Sequence, residues 1–119
     1  MTDLRTTLAK RVDASLDRLI AVTQRLVAVA SPNPPSDTEA IAAVAEALLR
    51  EIPGIEVEVV EPEPRVKSLI GRIRSPRSGR RLIFNGHLDT FPILENLPWT
   101  VPPLGGLLKD GKLYGRGVC

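Results

Sequence analysis

Aromatic side chains make up only 3% of this 119-residue chain, so any core must be built from aliphatic groups. Cysteine occurs once, at Cys119, which leaves no pair for an internal disulfide. Neither sign of charge dominates: 16 basic and 14 acidic side chains give a net +2, and the basic ones are dispersed except between Arg72 and Arg81. A nucleic-acid surface would carry a basic stripe with interleaved aromatics, so no nucleic-acid partner is expected. There is no long apolar run and no N-terminal apolar h-region, so neither a membrane segment nor a secretory leader is expected, and the cytoplasm is the expected location. Histidine also occurs once, as His87. What is present, 43% apolar and 25% charged residues, describes an ordinary globular chain of one domain or part of one.

From about Leu8 the residues Leu8, Val12, Leu16, Leu19, Ile20, Leu26 and Val27 recur at three- and four-residue steps, predicting one helix that runs to Ala30. Its last turn, Leu26 to Ala30, is apolar nearly all round, which predicts deeper burial there. Ser31-Pro32-Asn33-Pro34-Pro35 ends it, because proline lacks an N–H and biases the residue before it away from helix. Ser36 and Glu39 have the spacing of a capping box for a second helix. Its stripe is Ile41, Val44, Ala45, Leu48, Leu49 and Ile52, and Pro53-Gly54 stops it.

Ile55 to Val59 alternates apolar and acidic residues, predicting a half-exposed strand, with Glu56, Glu58, Glu61 and Glu63 read as a solvated face rather than a cation site. Pro62 and Pro64 predict a loop, and Ser68 to Arg74 another strand. Ser75 to Gly79 is a connection of hairpin length, predicting antiparallel pairing between Ser68–Arg74 and the strand that follows. The arginines around it read as a solvated hairpin end rather than an anion site. Thr90 to Pro103, with four prolines, reads as a loop in which Trp99 is an anchor or packs over the site. Leu107 to Tyr114 is a hairpin with Asp110-Gly111 suited to a type I′ turn, returning Gly115-Arg116-Gly117 toward the same end of the sheet. Helix, helix, strand, strand, strand, hairpin is an α/β order with a mixed sheet.

The most informative stretch is Arg81 to Pro92, RLIFNGHLDTFP. Leu82, Ile83 and Phe84 read as a strand buried on both faces. Asn85-Gly86 breaks the run, and His87 follows with Asp89 two residues on. In extended backbone that spacing puts imidazole and carboxylate on one face. One ring nitrogen is then free for a metal while the other donates to the carboxylate. On spacing alone a His-x-Asp pair is more often an ordinary surface feature; its place at the end of a buried strand, where open α/β sheets put their sites, favours a site.

Gly86-His87-Leu88-Asp89-Thr90, then Phe91-Pro92, Trp99, Pro102-Pro103 and Asp110-Gly111-Lys112-Leu113-Tyr114-Gly115-Arg116-Gly117 form an ordered series that resembles the M20 family of metal-dependent amidohydrolases and exopeptidases. The Ser31–Pro35 loop is similar to that family too, and it is given no catalytic role. The resemblance implies that residues 1–119 are the N-terminal part of one catalytic domain, with the rest of that domain and a lid and dimerisation domain absent. It implies a two-metal centre, usually zinc with cobalt possible, in which His87 is a metal ligand and Asp89 the carboxylate that holds its ring. The reaction implied is cleavage of an amide bond in an N-acyl amino acid or short peptide, and a homodimer is expected only for the complete protein. The family's bridging aspartate, Glu-Glu pair and last histidine would lie beyond Cys119, so the piece alone is expected to be inactive; the alternative is a non-catalytic binding remnant. Leu104 departs from the phenylalanine common in the family at that place.

Overall fold

A computed structural model describes residues 3–94 and 96–118. Ser15 divides the predicted first helix into α1 (Leu4–Ala14) and α2 (Leu16–Val27). Its N–H and its hydroxyl both donate to the Val12 carbonyl, at 3.0 and 2.8 Å. A serine side chain competing for backbone in this way tightens the turn and breaks the i to i−4 ladder. Exposure continues across the break into the first turn of α2. Leu4, Leu8, Val12, Leu16 and Leu19 are all exposed, whereas Val27 near the end of α2 is buried. The deeper burial predicted for the last turn therefore holds at Val27, but the helix stops there and not at Ala30.

The second predicted helix is α3 (Glu39–Arg50), which buries Ile41, Ala42 and Leu48. The predicted capping box does not form. Ser36 Oγ–H donates to Asn33 Oδ1, and Glu39 faces Arg65 and Lys67 at 2.7 and 3.2 Å. Thr38 stands at the N-cap, yet its hydroxyl accepts from the Lys67 N–H at 2.7 Å and donates to the Lys67 carbonyl at 3.0 Å. The local cap comes from Asp37, whose Oδ1 accepts from the Glu39 N–H at 3.1 Å, and the N-cap residue Thr38 is given to a tertiary partner.

That partner is β2 (Val66–Ile73), antiparallel to β1 (Ile55–Glu63) in a two-stranded sheet. Glu63 pairs with Val66, so Pro64-Arg65 is a two-residue connection with Arg65 at φ 66°. The predicted proline loop is the tip of this hairpin, and Pro62 sits where the register shifts between Val60 and Glu63, a place that needs no ladder donor. Glu58 and Glu56 meet Arg72 and Arg74 diagonally across the pair, at 2.7 and 3.3 Å, so the acidic face and part of the arginine cluster answer each other.

The mixed sheet does not form among the described residues. A second antiparallel pair, β3 (Leu107–Lys109) with β4 (Lys112–Tyr114), stands apart from the first. Its turn residues Asp110 and Gly111 have φ 52° and 71°, the two positive values of a type I′ turn. The strand predicted at Leu82–Phe84 is absent, and these residues are 77%, 76% and 88% exposed in place of being covered on both faces. Ser75–Gly79 accordingly joins no hairpin. A strand of this kind needs neighbours on both sides, and β2 takes β1 as its only partner. The architecture is three helices with two small antiparallel sheets, an α/β arrangement. No described helix is long and apolar enough to cross a membrane.

Candidate functional site

The segment around His87 is held by the loop that follows α2. Ser31, buried at 2% exposure, donates its hydroxyl to the Leu88 carbonyl at 2.7 Å. The Thr90 N–H donates to the Ser31 carbonyl and the Asn33 N–H donates to the Thr90 carbonyl, each at 2.8 Å, closing a parallel bridge between Pro32 and Thr90. Residues 31–33 and 88–90 therefore run side by side although more than fifty positions separate them. The prolines keep residues 32, 34 and 35 from donating elsewhere, which suits a short, fixed strap.

Within that frame the i, i+2 pair meets as expected. His87 Nδ1 lies 2.7 Å from the Asp89 backbone carbonyl oxygen and 3.2 Å from Asp89 Oδ1. Both are acceptors, so Nδ1 carries the hydrogen and Nε2 is the lone-pair nitrogen of the neutral ring. The backbone carbonyl is the nearer acceptor, so the carboxylate shares the orienting role. Asp89 Oδ2 accepts from Asn33 Nδ2–H at 2.9 Å. That amide, more than the imidazole, holds the Asp89 carboxyl below the usual carboxylate range, against a smaller upward push from burial. Asn33 was visible in the sequence only as part of a helix-stopping loop, and nothing in its spacing from Asp89 could have joined the two.

His87 is not at the tip of a covered strand: its side chain is 82% exposed. With Asp89 and Asn33 it lines a cleft of about 1120 Å³ whose apolar wall includes Leu26, Leu48, Leu49 and Leu69. A catalytic zinc site takes three protein ligands, and the described residues bring no group of three His, Cys, Asp or Glu together. The free Nε2 of a ring bonded through Nδ1 fits one ligand position, and the described residues do not complete the set. Cys119 lies outside the described residues.

Gly115-Arg116-Gly117 does return to this region. Gly117, at φ 82°, would place a Cβ 3.1 Å from the Thr90 methyl. The Arg116 guanidinium stacks 4.8 Å above the Trp99 ring and donates to the Pro92 carbonyl at 3.3 Å. Trp99 is thus the anchor of its loop, and Arg116 is spent on holding that loop. Gln24 Nε2–H donates to the Gly106 carbonyl at 2.7 Å, docking the β3–β4 hairpin on α2.

No family model matches the chain, and no solved structure matches it. Among curated proteins it is 31% identical over 114 residues to N-formyl-4-amino-5-aminomethyl-2-methylpyrimidine deformylase of Halalkalibacterium halodurans, which takes in 94% of the chain. It is 35% identical over 108 residues, 84% of the chain, to succinyl-diaminopimelate desuccinylase of Burkholderia cenocepacia. A shorter stretch of 41 residues, 34% of the chain and 10% of the relative, is 54% identical to succinyl-diaminopimelate desuccinylase 2 of a Ruegeria species. The chain belongs to the M20 amidohydrolase family. It spans 27% of the length of the deformylase and 26% of the Burkholderia desuccinylase. In this M20 chain the strap of residues 31–33 and the His87–Asp89 pair form one hydrogen-bonded unit.

Proposed function

We propose that this chain is part of a metal-dependent hydrolase that removes an acyl group from nitrogen on a small molecule such as an N-acyl amino acid. The similarity that takes in 94% of the chain carries the reading, because the relatives' names, a deformylase and desuccinylases, share the removal of an acyl group. In this reading residues 1–119 are part of a catalytic domain. His87 offers Nε2 to a divalent cation, zinc or cobalt, and Asp89 with its own backbone carbonyl keeps Nδ1–H turned inward so that Nε2 stays available. Such a cation supplies Lewis-acid polarisation of an amide carbonyl. The cleft beside His87 gives a small acylated substrate room against an apolar wall.

A non-catalytic role for the isolated chain is favoured by one observation, the lack of any three-ligand group among the described residues. The 119-residue chain alone is therefore expected to hold zinc weakly and to turn over nothing. The decisive assay uses a chimera in which this chain replaces the matched region of the Halalkalibacterium deformylase. Hydrolysis of the N-formyl substrate should survive, fall to background in His87→Ala, and drop about 10- to 100-fold in Asp89→Asn with metal retained. Equal activity in the two variants would sink the assignment of His87 and Asp89, and two ions retained with turnover by the chain alone would refute its expected inactivity.

A further inference from the structure

The hydrogen bonds around Asp89 form a directed series that begins outside the histidine segment. A carboxylate only accepts, so Asn33 must turn Nδ2 toward Asp89 Oδ2, which leaves Asn33 Oδ1 facing the other way. Ser36 Oγ–H donates to that Oδ1 at 2.7 Å. Ser36 reaches it from φ 68°, a left-handed conformation that costs a non-glycine residue free energy and persists where the surroundings impose it. With Oδ2 tied to Asn33, rotation of the Asp89 carboxylate is restricted and Oδ1 stays 3.2 Å from His87 Nδ1. Without that tie the terminal torsion is broad and the carboxylate is free to turn to water.

We propose that Asn33 and Ser36 are positioning residues that act through Asp89 to hold His87 in its Nδ1–H tautomer, with Nε2 as the lone-pair nitrogen. The functional meaning rests on His87 being a metal ligand; the tautomer does not. A metal ligand locked in this form needs no proton shift between ring nitrogens before Nε2 binds a cation. The loop after α2, which the family resemblance leaves without a role, would then set the ring's readiness from two residues that make no hydrogen bond to it.

The chain's single histidine makes the test clean, because imidazole nitrogen signals in a 15N-labelled sample belong to one ring. Two-bond proton–nitrogen correlation spectra, taken at a pH where the ring is neutral, read the tautomer ratio directly. The wild-type chain should show mainly the Nδ1–H form. Asn33→Leu should lower the ratio of Nδ1–H to Nε2–H about 2- to 10-fold, the factor that one net hydrogen bond is worth, and Ser36→Ala by less. Should Asn33→Leu not fold, Ser36→Ala carries the test, since it removes only a hydroxyl. Val27→Ala serves as the control: it weakens the core and should leave the ratio unchanged. An unmoved ratio in both Asn33→Leu and Ser36→Ala overturns the proposal, and so does a shift in Val27→Ala as large as theirs. Metal content of the deformylase chimera with and without His87→Ala tests the reading beneath it separately, because metal retained in full without the ring would remove the metal role while leaving the tautomer lock standing.

Discussion

Two stretches of this chain each contain an apolar run that reads as a strand, and they end differently. Between Asp37 and Ile73 the partners lie within the stretch itself: the β1–β2 hairpin closes over two residues, Thr38 bonds both backbone groups of Lys67, and Arg65 reaches Asp37 Oδ2 and Glu39 Oε2. Between Ser75 and Asp89 no backbone-to-backbone hydrogen bond forms among the described residues, and Leu82, Ile83 and Phe84 face solvent. Strand formation is therefore not a property of an apolar tripeptide. It belongs to the pair of neighbours that accept its N–H and C=O groups, and only the first stretch supplies its own.

The sharpest way to break this contrast is a pair of truncations. Leu48→Ala, in the wall between α3 and the sheet, should cost about 2–4 kcal/mol in denaturant midpoint measurements, whereas Ile83→Ala should stay within about 0.5 kcal/mol. Comparable losses would mean that Ile83 is covered in solution. A middle-sized effect is expected where the second hairpin meets the helices. A Cβ on Gly115 would stand 2.6 Å from Val27 Cγ1, so Gly115→Ala should cost about 1–3 kcal/mol and loosen the docking of β3–β4 on α2. No change in stability would show that this contact yields freely.

The smallest effect is on pH dependence. The Arg65 guanidinium, first, and the Glu39 N–H hold the Asp37 carboxyl below its usual range, and the Asn33 amide does so for Asp89. With folded values below the unfolded one of about 3.9, the unfolded chain binds more protons in acid. Their contribution is present above that value and is lost as pH falls through the lowered folded values. Both sites are open to water, so the acid limb should be shallow, and Asp37→Asn should flatten it in thermal melts between about pH 5 and about pH 2. A limb unchanged by that substitution would place the acid sensitivity elsewhere.

Features set by neighbours along the chain were legible beforehand. The α3 stripe, the Ile55–Val59 alternation, the Asp110-Gly111 turn and the meeting of His87 with Asp89 each follow from residues within a few positions of one another. The errors came where a local rule had a distant competitor. Ser36 and Glu39 had the spacing to cap a helix, but Asn33 took the serine, and Arg65 and Lys67 took the glutamate. Ser15 broke the first helix with its own side chain, a choice that apolar periodicity does not register.

The sequence by itself determined the local conformational vocabulary and the family, because φ preferences, side-chain periodicity and an ordered motif series are properties of the string. Only the tertiary structure decided which partners satisfy the polar groups. It joined Ser31 and Asn33 to Leu88, Asp89 and Thr90 across more than fifty residues, and it left Leu82–Phe84 without a sheet. The reason is that a hydrogen bond saturates: each donor or acceptor given to one partner is withdrawn from the others, and that allocation depends on where the whole chain lies in space.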